Sequence, residues 1–213
     1  MAIFSPSILS ADFMHLDEEI KALELLGVQS IHLDVMDGHF VPDIFLGPKI
    51  IKDIRKSTTL SLDIHLMIEN PEDLLQSFID AGCNSIAVHK ESSCCIDQVL
   101  SKIKKNNIRA GLALSPESPI QSIYTYLDDI DFVLVMSIRP GEAGSAFQMS
   151  AIDKIDELQR IRETTGSHFK ISVDGGISLK EVNLLRSKAD IIIAGNSYYT
   201  SQDKAYFVKS VQS

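Results

Sequence analysis

Two stretches of the chain, His32-Leu33-Asp34-Val35-Met36 and Asp63-Ile64-His65-Leu66-Met67, alternate polar or sulfur-bearing side chains with apolar ones. A third, Ile171-Ser172-Val173-Asp174, ends at Gly175-Gly176. In a strand, side chains alternate between faces with a period of two. His32, Asp34 and Met36 then share one face, and Asp63, His65 and Met67 share another. The opposite faces carry Ile31, Leu33 and Val35, and Leu62, Ile64, Leu66 and Ile68. Those apolar faces suit packing against helices, so the His/Asp faces must point inward, where imidazoles and carboxylates need partners or a metal. His32, Asp34, His65 and Asp174 form a mixed nitrogen/oxygen set that suits a divalent ion such as zinc, iron, manganese or cobalt. The alternative is a hydrogen-bonded polar core. Two His/Asp pairs with a third strand end favour the metal.

Glycines supply a second signal. Pro140-Gly141-Glu142-Ala143-Gly144, Gly175-Gly176 and Gly195-Asn196 each follow a short apolar run. Glycine lets backbone N–H groups approach a phosphate closely, although ordinary tight turns also favour it. Three such loops side by side point to a phosphate cradle. Met36, Met67 and Met136 stand at strand ends, where methionine usually packs a core. Their common inward geometry also allows them to line a reacting centre. His89 and Glu91 read as supporting groups or loop anchors. Ser7 could donate to a substrate or to backbone.

These residues need elements to hold them. Short runs rich in Val, Ile, Leu or Phe recur at 3–9, 31–36, 60–68, 85–89, 110–114, 132–136, 169–173 and 191–194, as buried parallel strands do. Amphipathic helices fit 12–26, 96–105, 149–163, 179–187 and 203–210. Another is signalled by Asn70 as its cap, Pro71 at its first position and acidic Glu72 and Asp73, with Ala81-Gly82 as its stop. Eight strands alternating with about eight helices imply a parallel sheet closed into a single (β/α)8 barrel of the TIM type, one domain over residues 1–213. Neither a Gly-x-Gly-x-x-Gly fingerprint after the first strand nor a P-loop occurs. In such barrels the chemistry sits at the carboxyl ends of the strands.

With 213 residues, the chain is near the lower end for that architecture, about 200 residues, and leaves little room for decoration. Its formal net charge of −9 argues against nucleic acid or an anionic membrane as partner. No apolar run is long enough to span a bilayer and no signal peptide is expected, so a cytoplasmic location is the expectation. Cys83, Cys94 and Cys95 read as reduced thiols rather than a disulfide framework.

On these residues the chain resembles the ribulose-phosphate 3-epimerase family. The likeness covers nearly the whole sequence. It rests on Ser5-Pro6-Ser7-Ile8-Leu9-Ser10-Ala11-Asp12-Phe13, on the highly specific run from His32 to Pro42, on Asp63-Ile64-His65-Leu66-Met67 and on Val173-Asp174-Gly175-Gly176-Ile177. The resemblance implies one divalent metal ion, usually zinc, held by His32, Asp34, His65 and Asp174. It also implies that Asp34 and Asp174 accept and donate the proton. Substrate and phosphate contacts would fall at Ser7, His65, Gly141, Glu142, Ala143, Gly144, Gly175, Gly176, Gly195 and Asn196. Two loops depart from the family pattern. Where Pro-Gly-Phe-Gly-Gly-Gln is usual, this chain has Pro140-Gly141-Glu142-Ala143-Gly144-Ser145; where Gly-Ser-Ala-Ile-Phe is usual, it has Gly195-Asn196-Ser197-Tyr198-Tyr199. Both touch the phosphate and sugar-tail side and bear on substrate identity. The metal side is intact.

The implied reaction inverts carbon 3 of a phosphorylated ketose, D-ribulose 5-phosphate to D-xylulose 5-phosphate. Asp34 and Asp174 would move the proton on opposite faces, and the metal would stabilise the enediolate. The alternatives are a 3-epimerase of a hexulose 6-phosphate such as allulose 6-phosphate, and a non-catalytic sugar-phosphate binder. A related lyase or decarboxylase is disfavoured, because His65 stands where that group needs a lysine. Arg139 could pair with Glu142 or contact the phosphate. Association into a homo-oligomer is expected.

Overall fold

The structure is a computed structural model that describes residues 1–213 apart from Cys94. Cys94 and its expected thiol state therefore lie outside the described residues. Eight parallel strands form the centre: β1 (Ile3–Pro6), β2 (Ser30–Asp37), β3 (Ser61–Met67), β4 (Ser85–His89), β5 (Arg109–Leu114), β6 (Phe132–Met136), β7 (Lys170–Asp174) and β8 (Ile191–Ala194). Hydrogen-bonded neighbours run β1-β8-β7-β6-β5-β4-β3-β2. A parallel bridge between Ser7 and His32 joins the two ends, so the sheet closes into the expected barrel. A two-residue antiparallel ladder, Ile44–Phe45, hangs on the end of β2 at Met36 and Asp37.

The outer ring comprises α1 (Leu16–Leu25), α2 (Pro48–Ser57), α3 (Pro71–Ile79), α4 (Ile96–Lys105), α5 (Ser150–Thr165), α6 (Leu179–Leu185), α7 (Asn196–Tyr199) and α8 (Lys204–Gln212). Ile31, Leu33, Leu62, Ile64 and Leu66 point outward into one core shared with helical Ile51, Leu75, Ile103 and Leu158, and all are fully buried. Each such burial stabilises the fold by roughly 1.5–3 kcal/mol. The intervening residues on the same strands, His32, Asp34, Asp63 and His65 among them, therefore face the barrel axis.

Local chemistry moved several boundaries. The first strand stops at Pro6 instead of running to 9. The Ser7 side chain accepts the Leu9 N–H at 3.3 Å and starts a 3-10 turn over Ile8–Ser10. The helix expected from 12 begins at Leu16, because Asp12 caps a separate 3-10 turn over Phe13–His15. Helix α2 was absent from the sequence reading, although Gly47, then Pro48 at its first position, and the buried pair Ile51 and Ile54 were its signal. A 3-10 stretch over Ile120–Tyr126 precedes β6 where a full helix would complete the pattern. Asn70 does stand at the cap of α3, but in the left-handed conformation and with no side-chain cap bond. Helix α6 has a complete capping box, in which Ser178 and Glu181 satisfy each other's backbone N–H groups.

Candidate active site

At the carboxyl ends of the strands lies a cavity of about 370 Å³. Asp34, Asp174, Met36, Met67, Met136 and Ser7 line it, as do the segments 143–147, 174–178 and 193–197. A larger cavity, about 640 Å³, opens at the other end among Ser30, Ser61, Asp63, Ser85 and Arg109. That end of a β/α barrel is where residues serve stability rather than chemistry.

Strand register brings the polar side chains together. His32 pairs with Asp63 across β2 and β3, and Asp34 pairs with His65. One ligand atom from each of His32, Asp34, His65 and Asp174 lies within 4.8 Å of the others. His32 Nδ1 is 2.8 Å from Asp63 Oδ2. A carboxylate only accepts, so Nδ1 carries the proton. His32 Nε2 then faces Asp34 Oδ1 at 3.6 Å and Asp174 Oδ2 at 3.8 Å. That nitrogen is buried and has no hydrogen-bond partner among the described residues. Leaving such an atom unsatisfied costs roughly 1–3 kcal/mol. His65 Nδ1 lies 3.3 Å from Asp34 Oδ1 and 4.0 Å from Asp174 Oδ2. An orphaned imidazole nitrogen converging with a second imidazole and two carboxylates fits a divalent cation, so the group could hold a metal ion.

The surroundings split the two carboxyls. Burial works against charge on Asp34, yet His32 and His65 hold it far below the usual carboxylate range. Ser7 Oγ also donates to Asp34 Oδ2 at 2.6 Å. Asp174 is pushed up to about 7, by burial first and then by the Asp34 carboxylate. Burial opposes protonation of His32, but Asp34 and Asp63 carry it well above its usual value. Burial lowers His65, and lowers His89 to about 4.

Some placements differ from the sequence reading. His32 and His65 are fully buried beneath the cavity rather than in its wall. Gly141, Ala143, Gly144, Gly175, Gly176, Gly195 and Asn196 do share the wall. Glu142 is exposed and does not line the cavity. Arg139 lines the cavity and pairs with Glu117 rather than with Glu142. Its Nε donates to Glu117 Oε1 at 2.5 Å. Gly176 adopts a left-handed φ of 59°, and a Cβ there would sit 2.5 Å from Phe147 N and 2.7 Å from Ser145 O. Only glycine allows the loop after β6 to close against the loop after β7.

Sequence reasoning assigned no role to two aspartates. Asp63 orients His32 and accepts from Ser85 Oγ at 2.6 Å; its inward position beside His65 was the available signal. The Asp37 carboxylate accepts the N–H groups of His39, Phe40 and Glu69 at 2.8–2.9 Å, tying the loops after β2 and β3 together. The Asp37-Gly38 turn hinted at the first loop, while the tie to Glu69 is tertiary.

Fold and site together define a β/α barrel with two carboxylates converging over buried imidazoles at the carboxyl ends of its strands. Residues 3–199 match the ribulose-phosphate 3 epimerase family, and the chain belongs to that family. It is thus an epimerase, an isomerase acting on carbohydrates. It is 39% identical to ribulose-phosphate 3-epimerase of Bacillus subtilis over 210 residues, covering 98% of this chain and 97% of that one. It is 38% identical to the chloroplastic ribulose-5-phosphate-3-epimerase of Arabidopsis thaliana, covering 99% of this chain and 76% of that one. Among solved structures, a tryptophan synthase from Mycobacterium tuberculosis superposes with a TM-score of 0.70 at 14% identity, covering 99% of this chain and 91% of that one. At that identity the likeness concerns the barrel alone.

Proposed function

We propose that this protein interconverts D-ribulose 5-phosphate and D-xylulose 5-phosphate by inverting carbon 3. The observation that carries the reading is the placement of Asp34 and Asp174, on strands far apart in chain order, with oxygens within 4.8 Å in one cavity. A proton must leave carbon 3 on one face and return on the other, and two opposed carboxylates meet that need. General acid–base catalysis of this kind contributes roughly 10²- to 10⁴-fold in rate. The names of the Bacillus and Arabidopsis relatives support the pentulose substrate.

His32, Asp34, His65 and Asp174 would hold the divalent metal, zinc by the family resemblance, from a donor set that suits iron, manganese and cobalt as well. When bound, the metal supplies Lewis-acid stabilisation of negative charge developing on the sugar oxygens. Ser7, through its bond to Asp34 Oδ2, keeps that carboxylate aimed into the cavity. Met36, Met67 and Met136 line the reacting end with sulfur and methylene groups, which limits water there. The phosphate lies toward Gly175, Gly176, Gly195 and Asn196, on the wall away from the imidazoles.

The test is solvent deuterium entry at carbon 3. The expected outcome is exchange with ribulose 5-phosphate in the metal-loaded protein, and its loss in Asp34→Asn and Asp174→Asn while substrate binding stays measurable. No exchange with ribulose 5-phosphate but exchange with allulose 6-phosphate would move the substrate to a hexulose. Full activity in either variant overturns the two-carboxylate scheme.

A further inference from the structure

The two buried imidazoles are held from behind in different ways. Asp63 reaches His32 directly. Behind His65 stands a second ring: His65 Nε2 is 2.8 Å from His89 Nε2. His89 Nδ1 in turn lies 3.3 Å from Glu91 Oε2. All of His65 and His89 is buried, whereas the Glu91 side chain is 30% exposed. The other Glu91 oxygen accepts the Ser115 N–H at 3.2 Å and the Ser118 hydroxyl, both in the loop after β5. Lys154 of α5 fixes that loop by donating to the carbonyls of Ser115, Pro116 and Ser118 at 2.7–2.9 Å. Phe40 packs against His89 at a centroid distance of 4.8 Å, with the two rings tilted by 40°.

We propose that Glu91, acting through His89, fixes His65 in the tautomer whose Nδ1 carries no proton and is free to bind a cation beside Asp34 and Asp174. The reasoning counts protons. Glu91 can only accept, so His89 Nδ1 is the donor. A neutral His89 then has a bare Nε2. Two nitrogens 2.8 Å apart share one proton, so it resides on His65 Nε2. That leaves His65 Nδ1 with its lone pair. Asp34 competes for a proton at that nitrogen, but from 3.3 Å, and it already accepts from Ser7 at 2.6 Å. Glu91 is thus a positioning residue, and the inference rests on the metal reading above only for its consequence.

Glu91→Gln tests it, because an amide can present its NH₂ to His89 Nδ1 and reverse every donor in the chain. In ¹⁵N imidazole spectra of chelator-treated wild-type protein, His65 is expected to carry its proton on Nε2. In Glu91→Gln the proton is expected on Nδ1, with unchanged circular dichroism. Zinc affinity, read by chelator competition, should then fall about 10- to 100-fold. A wild-type His65 protonated at Nδ1 overturns the proposal. So does a Glu91→Gln variant with unaltered tautomer, or one with unaltered zinc affinity where the wild type binds zinc. If the variant fails to fold, the wild-type spectrum still decides. Ser118→Ala, which loosens Glu91 only, should shift zinc affinity the same way by less. A tautomer that switches in a protein that takes no zinc in either form would uphold the relay and refute the metal.

Discussion

Asp34 and Asp174 are the same chemical group in unequal surroundings, and the inequality has a measurable consequence. Asp174 is 14% exposed and its carboxylate has the Gly175 backbone N–H behind it, whereas Asp34 is backed by Ser7, His32 and His65. With its folded value near 7 and its usual value at 3.8, Asp174 keeps a proton that the unfolded chain has released. Its contribution to stability is fully present below about 3.8 and is gone once the pH passes about 7. His32, raised above its usual 6.5, adds in the same direction at higher pH. The lowered Asp34 acts only as pH falls below its usual 3.8, outside this window. The lowered His65 and His89 drift the other way, gaining stability as the pH rises toward 6.5, so the Asp174 contribution is read as a difference. Between about pH 4 and 7, chelator-treated wild-type protein should lose Tm relative to Asp174→Asn, by at most about 1.4 kcal/mol per pH unit; parallel profiles would remove Asp174 as the source. The alternation around His32 and His65 was legible because period-two patterning is local. The bonds from Asp63 to His32 and from His89 to His65 were not, since each depends on register between strands that sequence patterning does not specify; Glu91, two residues from His89, was legible only as a support.

At the scale of elements, the loops after β7 and β8 carry the wall where the phosphate is proposed to lie, and the loop after β6 closes on the first of them. That contact at Gly176 is too tight for any side chain, with backbone atoms of Ser145, Ala146 and Phe147 within 3 Å of where a Cβ would be. Gly176→Ala should force the β6 loop outward, raising KM for the sugar phosphate tenfold or more, with zinc affinity unaltered. An unchanged KM would show that this wall does not hold the phosphate. The eight strands were readable because each is a short, buried, branched-chain run. Helix α2 was missed because Ile50, Ile51 and Ile54 give a brief stripe within an otherwise basic segment, and its partners lie across the barrel surface. The early stop of β1 turned on one hydroxyl, Ser7, capping the turn that follows.

Taken as a whole, the molecule is an acidic body around a buried His/Asp group that could hold a cation. A formal charge of −9 repels an anionic sugar at long range, so attraction must come from within the cavity. Four converging groups from three strands could hold an ion, which would then tie β2, β3 and β7 together. Zinc at about 100 times its Kd should add roughly 2.7 kcal/mol and raise Tm by several degrees. A chelator should reverse this, and a Tm indifferent to zinc would argue that the cluster is only a polar core. One further feature bears on how the molecule comes together. The ring is joined between its first two strands by the bridge from Ser7 to His32, by Ser5 Oγ to Ser30 Oγ at 3.1 Å, and by Ser7 to Asp34. Two of the three links, those from Ser7 to His32 and to Asp34, thus run through residues proposed to serve the substrate and the cation. On that proposal a chain caught with this seam open has no working centre, so turnover itself reports that the circle has been completed.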